Sequence, residues 1–325
     1  MGRKRKSENP NPKTKKENPA AEAPSSPVTS PPPPPWIELP GDVTANILKR
    51  LGSKEILWSA QRVCTTWWKV CHYPSVWRVI DLGRPDVAHK DFRLACRRAV
   101  DRSQGQLVDL TIECFADDDL LNYIADRSCS LKRLKLESCT QVSGTVLAEA
   151  LKKFPELEEC HLVIMPTVLA KDVEAIGRSC PKLISFTHDD YGYRSWEACN
   201  VRAGPDCNDY ALAIAKNMPN LQHLSLFAHH MTNDGLEAIL QGCAHLKSLD
   251  IRQCYCLKMT QDLEKRCRER VKDLRLPSDS IIDVARLDGD EPSDDICPDV
   301  CGCCGYSGSD SDAGCEDFYR DYYSL

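Results

Sequence analysis

The chain has 325 residues, with 42 Lys/Arg against 48 Asp/Glu and 19 cysteines, a length that accommodates two domains plus tails. The slight negative charge excludes a general polyanion binder, and no apolar run approaches the ~20 residues of a membrane span or the h-region of a signal peptide. The cysteines are odd in number and scattered singly through apolar patterns, which points to reduced, buried thiols in a protein of the nucleus, the cytoplasm or both.

Residues 1–35 are low in complexity, with seven Lys/Arg against three Glu and ten prolines. Such a stretch buries too little apolar surface to offset its ordering entropy and reads as a disordered tail. Arg3-Lys4-Arg5-Lys6 fits a nuclear import signal and equally a solvated basic tail. Lys6 stands where N-myristoylation wants Ser or Thr, so the Met1-Gly2 start is not read as that motif.

Trp36 to Val79 holds five of the six tryptophans. Leu39-Pro40-Gly41 breaks the chain and Asp42 is placed to cap a helix carrying Val43, Ile47, Leu48 and Leu51. Gly52 ends that helix and Ser53 is placed to cap a second one, whose apolar face is Ile56, Leu57, Ala60, Val63 and Cys64. A third short helix carries Trp67, Trp68 and Cys71 before Pro74 stops it, and Trp77 follows. So short a segment encloses little of its own surface, so this surplus of large apolar side chains calls for a neighbouring domain or a partner.

These residues resemble an F-box, the three-helix module that docks on the Skp adaptor of cullin–RING ubiquitin ligases. The resemblance implies an adaptor-binding surface formed by Leu39, Pro40, Ile47, Leu48, Leu51, Val63, Cys64, Trp67 and Trp68. Residues 83–106 then bridge to the next domain, with Phe92, Ala95, Cys96, Ala99 and Val100 on one helical face.

From Leu107 the chain repeats. Segments begin at Leu107, Leu131, Leu157, Leu183, Leu221 and Leu246, with a partial one at Val271, spaced 24, 26, 26, 38, 25 and 25 residues apart. Leu131-Leu134-Leu136 and Leu221-Leu224-Leu226 show the L-x-x-L-x-L rhythm of leucine-rich repeats. Cys139 and Cys254 take the Asn/Cys position, while Cys129, Cys180 and Cys243 recur just before the next strand. The set resembles the cysteine-containing repeats that follow an F-box, most closely in plant members. One strand–helix unit cannot bury its own apolar face, whereas stacked units share a continuous core. Cys160, Phe186 and His188 depart from the rhythm, the last where a third apolar residue belongs.

Strand alternation sends Asp109, Glu113, Glu137, Glu159, Asp189, Asp250 and Asp273 outward on the concave sheet, against Arg133, Lys135, Arg252 and Arg275. That balance is wrong for a nucleic-acid groove and suits a mixed protein-binding face. His161, His223 and Phe227 are expected on it as substrate contacts. The 38-residue repeat carries an insertion with Tyr191, Tyr193, Arg194 and Trp196, residue types enriched at binding hot spots. It is either a substrate-contacting loop or a tolerated surface loop.

Residues 277–325 carry 13 Asp/Glu against two Arg and read as a solvated acidic tail, with Ile281, Ile282 and Val284 placed to extend the last repeat. Cys297, Cys301, Cys304 and Cys315 supply only one C-x-x-C and no histidine, so no metal or other cofactor is assigned. No phosphate loop, nucleophile elbow or H-E-x-x-H motif is present. His229 and His230 read as surface or capping residues, and the recurrent cysteines as small buried hydrophobes.

The expected architecture is α/β: a leucine-rich-repeat solenoid preceded by a three-helix F-box, with disordered N- and C-terminal tails. It divides at 1–35, 36–82, 83–106, 107–276 and 277–325. The resemblance implies a non-catalytic substrate receptor of a ubiquitin ligase. Its partners would be a Skp-type adaptor, through it cullin and RING subunits, and an unidentified protein substrate, with neither nucleic acid nor membrane. A scaffold that binds the adaptor or works in the nucleus without ligase function stays open beside it.

Overall fold

The computed structural model describes residues 35–83, 91–189 and 207–281. A 3-10 turn, Pro35–Glu38, belongs to a separate N-terminal unit that ends at Leu39. From Pro40 onward, α1 (Gly41–Leu48), α2 (Ser53–Trp58) and α3 (Thr65–Val70) form a small helical layer. Two expected caps are placed differently. Pro40 holds the cap position of α1, leaving Asp42 in the first turn, and Gly52 at φ 82° precedes α2. Ser53 is therefore inside α2, and its hydroxyl is used elsewhere.

Eight parallel strands in sequential order make one sheet: β1 (Val79–Leu82), β2 (Asp109–Glu113), β3 (Arg133–Glu137), β4 (Glu159–Val163), β5 (Ser185–Asp189), β6 (His223–Ser225), β7 (Ser248–Asp250) and β8 (Asp273–Arg275). Helices α4 (Phe92–Ser103), α5 (Asp118–Ala125), α6 (Gly144–Leu151), α7 (Ala170–Ser179), α8 (Asp209–Asn217), α9 (Asn233–Gly242) and α10 (Gln261–Arg270) alternate with them. The repeat leucines lie in register, Leu110 beside Leu134 and Leu224 beside Leu249, and are fully or almost fully buried. At ~25 cal/mol per Å² of apolar area removed from water, this shared core is the main stabilising term.

The first strand was not anticipated. Residues 79–82 pair with β2 in the same register as every later pair, so α4, expected as a linker, is the helical half of a first turn of the solenoid. Its other side is closed by Ser53: Oγ donates to the Val79 carbonyl at 3.2 Å and accepts from the Asp81 N–H at 3.0 Å. Trp58 of α2 packs on Phe92 of α4, and Phe92 on Phe115. The guanidinium of Arg102 lies over buried Trp77 and donates to Gln61 Oε1 at 3.1 Å. An exposed parallel edge is a liability that needs such cover. Ser53→Ala should lower stability by about 1–2 kcal/mol through those two lost bonds, measured as a fall in Tm against Ser59→Ala; equal melting of the two would disprove the clamp.

Five of the eight strands, β2, β3, β4, β6 and β7, are followed within three residues by a non-glycine residue with positive φ: Cys114, Ser138, Ile164, Ala228 and Gln253. Its N–H donates one strand over, as from Cys114 to the Glu137 carbonyl at 2.8 Å and from Ser138 to that of Val163 at 2.9 Å. The bend thus continues the ladder past the strand ends, and those bonds offset the cost of a left-handed backbone.

The recurrent cysteines seal the stack. Cys139 and Cys254 are fully buried, and Cys254 Sγ lies 2.9 Å from the carbonyl oxygen of Leu226 in the preceding repeat. Burial pushes the thiols up, to about 11 for Cys139 and Cys243 and about 12 for Cys180, which leaves little thiolate at neutral pH. Cys129 does not share this position. It is exposed, and Ser128, three residues before Leu131 as Cys180 is before Leu183, occupies the buried site.

Candidate functional site

Two surfaces carry the residues singled out from the sequence. The first is the helical layer. Val43, Ile47 and Leu51 recur along α1 and its C-terminal turn, with Ile47 42% exposed. Val63, in the turn before α3, and Trp68, on α3, are 55% and 52% exposed. These elements pack on one another, α1 on α3 and α3 on the turn at 60–62. Trp68 packs against His72, whose ring lies tilted at 45° with centroids 4.3 Å apart and whose Nδ1 lies 2.7 Å from the Trp68 carbonyl oxygen. A well-packed domain has no internal reason to leave five large apolar groups in water.

Not every expected member lies on that surface. Leu48 is fully buried, because it sits one position round the helix from Ile47 and faces the core. Trp67 is partly buried against the core, and Cys64 is the N-cap of α3, its Sγ accepting from the Trp67 N–H at 3.4 Å. Pro40 is exposed, while Leu39 belongs to the N-terminal unit. Val43 was missed as a surface residue, although its place four residues before Ile47 signalled it.

The second surface is the concave face of the sheet. Arg133 bridges to Asp109 at 2.7 Å and Lys135 to Glu137 at 3.0 Å, which largely covers Glu137. His161 Nδ1 lies 2.9 Å from Thr187 Oγ1 and its Nε2 3.6 Å from Glu159. Burial pushes the His161 imidazole below its usual range, with Glu159 pulling the other way. His223 is exposed at the start of β6. Phe227 is not on this face. Strand β6 ends at Ser225, alternation lapses, and Phe227 turns inward beneath the Arg252 guanidinium. Arg252 is likewise buried, bound to Asp250 and to the Ser280 carbonyl at 2.8 Å. Tyr191, Tyr193, Arg194 and Trp196 lie outside the described residues, as do the tail cysteines.

A buried polar cluster lies where the insertion leaves the sheet. His188 Nδ1 is 2.9 Å from His229 Nε2, which also lies 2.7 Å from the His188 carbonyl oxygen. Tyr210 stacks on His188 at 5.0 Å and meets His229 at 5.2 Å. His229 is therefore a core residue and not a surface or capping one, because the turn after β6 folds it under the sheet end. Next to it, Asp189 Oδ1 accepts from Ser225 Oγ at 2.7 Å and from the Phe227 N–H at 3.1 Å. Among the described residues no group of three or more His, Cys, Asp or Glu side chains is placed to hold a metal. None of their helices is long and apolar enough to cross a membrane.

A three-helix layer with an exposed apolar stripe, bonded to a parallel strand–helix solenoid, defines the class: an F-box joined to leucine-rich repeats. The F-box-like family model matches residues 36–83. F-box/LRR-repeat protein 23 of Arabidopsis thaliana is 45% identical over 75% of this chain, which spans 54% of that protein's length. F-box protein SKIP19 of the same plant is 41% identical over 80% of this chain and 83% of its own, and F-box protein At4g05475 is 41% identical over 76% and 81%. The chain belongs to the F-box/LRR-repeat proteins of plants.

Proposed function

We propose that this chain is the substrate-recognition subunit of a Skp–cullin–F-box ubiquitin ligase, acting in the nucleus or cytoplasm. The stripe of Val43, Ile47, Leu51, Val63 and Trp68 takes the Skp-type adaptor, which brings the cullin and RING subunits. The concave face around His161 and His223 takes a protein substrate, and the outcome is its ubiquitination and proteasomal degradation. The chain contributes no reacting group; it raises the local concentration of a substrate lysine near the conjugating enzyme.

The observation that carries this reading is the exposed apolar stripe on a domain that is otherwise well packed. Ile47→Asp places a charge in the middle of the stripe without touching the core. Co-purification with a Skp-type adaptor should fall at least about 100-fold, while Tm stays close to that of the parent. Retained co-purification in the folded variant would remove the stripe from the interface.

A further inference from the structure

We infer that the adaptor surface is built for a partner whose groove is rimmed with carboxylates, and that Lys49, Arg50, Arg62 and Lys69 steer its docking. The inference rests on the reading of the stripe given above and adds the chemistry of its occupant. The chain as a whole carries −6, and residues 107–276 hold 21 Lys/Arg against 25 Asp/Glu. Residues 41–82 reverse that sign, with six Lys/Arg against Asp42, Glu55 and Asp81.

Position matters as much as the count. Arg50 follows Ile47 by three residues and adjoins Leu51, Arg62 adjoins Val63, and Lys69 adjoins Trp68. Each apolar member beyond Val43 thus has an exposed base beside or one turn from it. Within α1 and α3 the one carboxylate is Asp42, in the first turn of α1 beside Val43.

In the solenoid, bases are repeatedly used in ion pairs, as in Lys132–Glu158, Lys153–Asp126 and Lys182–Glu156 between neighbouring repeats. Lys49, Arg50, Arg62 and Lys69 are exposed, and none forms an ion pair among the described residues. Among the described residues these four cations have no carboxylate partner, and around one apolar stripe they repel one another. A partner with carboxylates facing them removes that repulsion and accelerates encounter, whereas a neutral or basic partner is rejected. Rim charges act chiefly on the association rate and its salt dependence, because they remain hydrated in the complex.

The test is the association rate of the full chain with a purified Skp-type adaptor between about 20 and 500 mM salt. The comparison is with Arg50→Glu/Lys69→Glu and, separately, with Arg62→Glu. For the parent, the rate should fall steeply with salt. The double variant should associate about tenfold or more slowly at low salt, with a dissociation rate within about twofold and a flatter salt dependence. Salt-independent association, or equal rates for all three chains, overturns the inference. If binding is also abolished by Ile47→Asp, that result leaves the stripe as the interface and removes only its electrostatic rim. No binding by the parent overturns both.

Discussion

Trp77→Ala should destabilise the chain by about 3–5 kcal/mol, the largest effect expected of any single truncation here. Trp77 is fully buried, its indole N–H donates to the Cys71 carbonyl at 2.7 Å, and Arg102 covers its ring. Alanine leaves a cavity, an unpaired carbonyl and a guanidinium without its platform, all two residues before β1 begins. The same change at Trp68, nine residues earlier and half exposed, should move Tm by no more than a degree or two while weakening the adaptor. Thermal melting paired with adaptor co-purification separates the two. If Trp77→Ala melted like the parent, the helical layer and the first strand would not be one cooperative body.

The second large effect is acid lability. Burial pushes the His229 imidazole down to about 4 and that of His188 well below its ordinary range. Both rings charge near pH 6.5 in the unfolded chain, so the unfolded state binds more protons over that interval. Stability is therefore complete above about pH 6.5 and is lost as pH falls toward 4. For His229 alone the difference is roughly 3 kcal/mol by pH 4. Asp189 works in the opposite sense. Burial holds its carboxyl up to about 6 against the two hydrogen bonds that pull it down. The folded chain thus takes up a proton below pH 6 that the unfolded chain does not bind until about 3.9, which offsets part of the histidine loss.

Asp189→Asn isolates the two contributions. Both hydrogen bonds go to Oδ1, which asparagine retains, so the change removes the charge while Oδ2 becomes an amide NH2. The variant should melt higher than the parent at pH 8 and lose stability more steeply between pH 6.5 and 5. A flat Tm for the Asp189→Asn variant across that interval, with the offsetting carboxyl gone, would show that the His188–His229 pair is not buried and neutral.

How much of this was legible before folding depended on periodicity. The repeat leucines announced β2 to β8 because apolar residues recur at the same places every 24–26 residues, with one step of 38. Strand β1 escaped because Val79–Leu82 lacks the leading leucine and lies at the end of a segment already read as helical. Alternation also misplaces residues once a strand stops. Phe227 and Arg252 lie two residues past the ends of β6 and β7, where the chain turns into its left-handed bend, and both fold inward. On α1 the adaptor stripe was read one position too wide: Ile47 and Leu48 are adjacent in sequence but about 100° apart on the helix, enough to put one in water and the other in the core.

The hydroxyl of Ser53 has a geometric corollary. The helical layer is hydrogen-bonded directly to the first strand, so among the described residues the two are coupled rather than joined by a free linker. Reach then becomes a property of repeat number. Seven inter-strand steps of about 4.8 Å place the last strand some 34 Å along the sheet from the first, and each added or deleted repeat changes that span by one step. Such a chain behaves as a graduated ruler, its length set in discrete steps by the number of repeats.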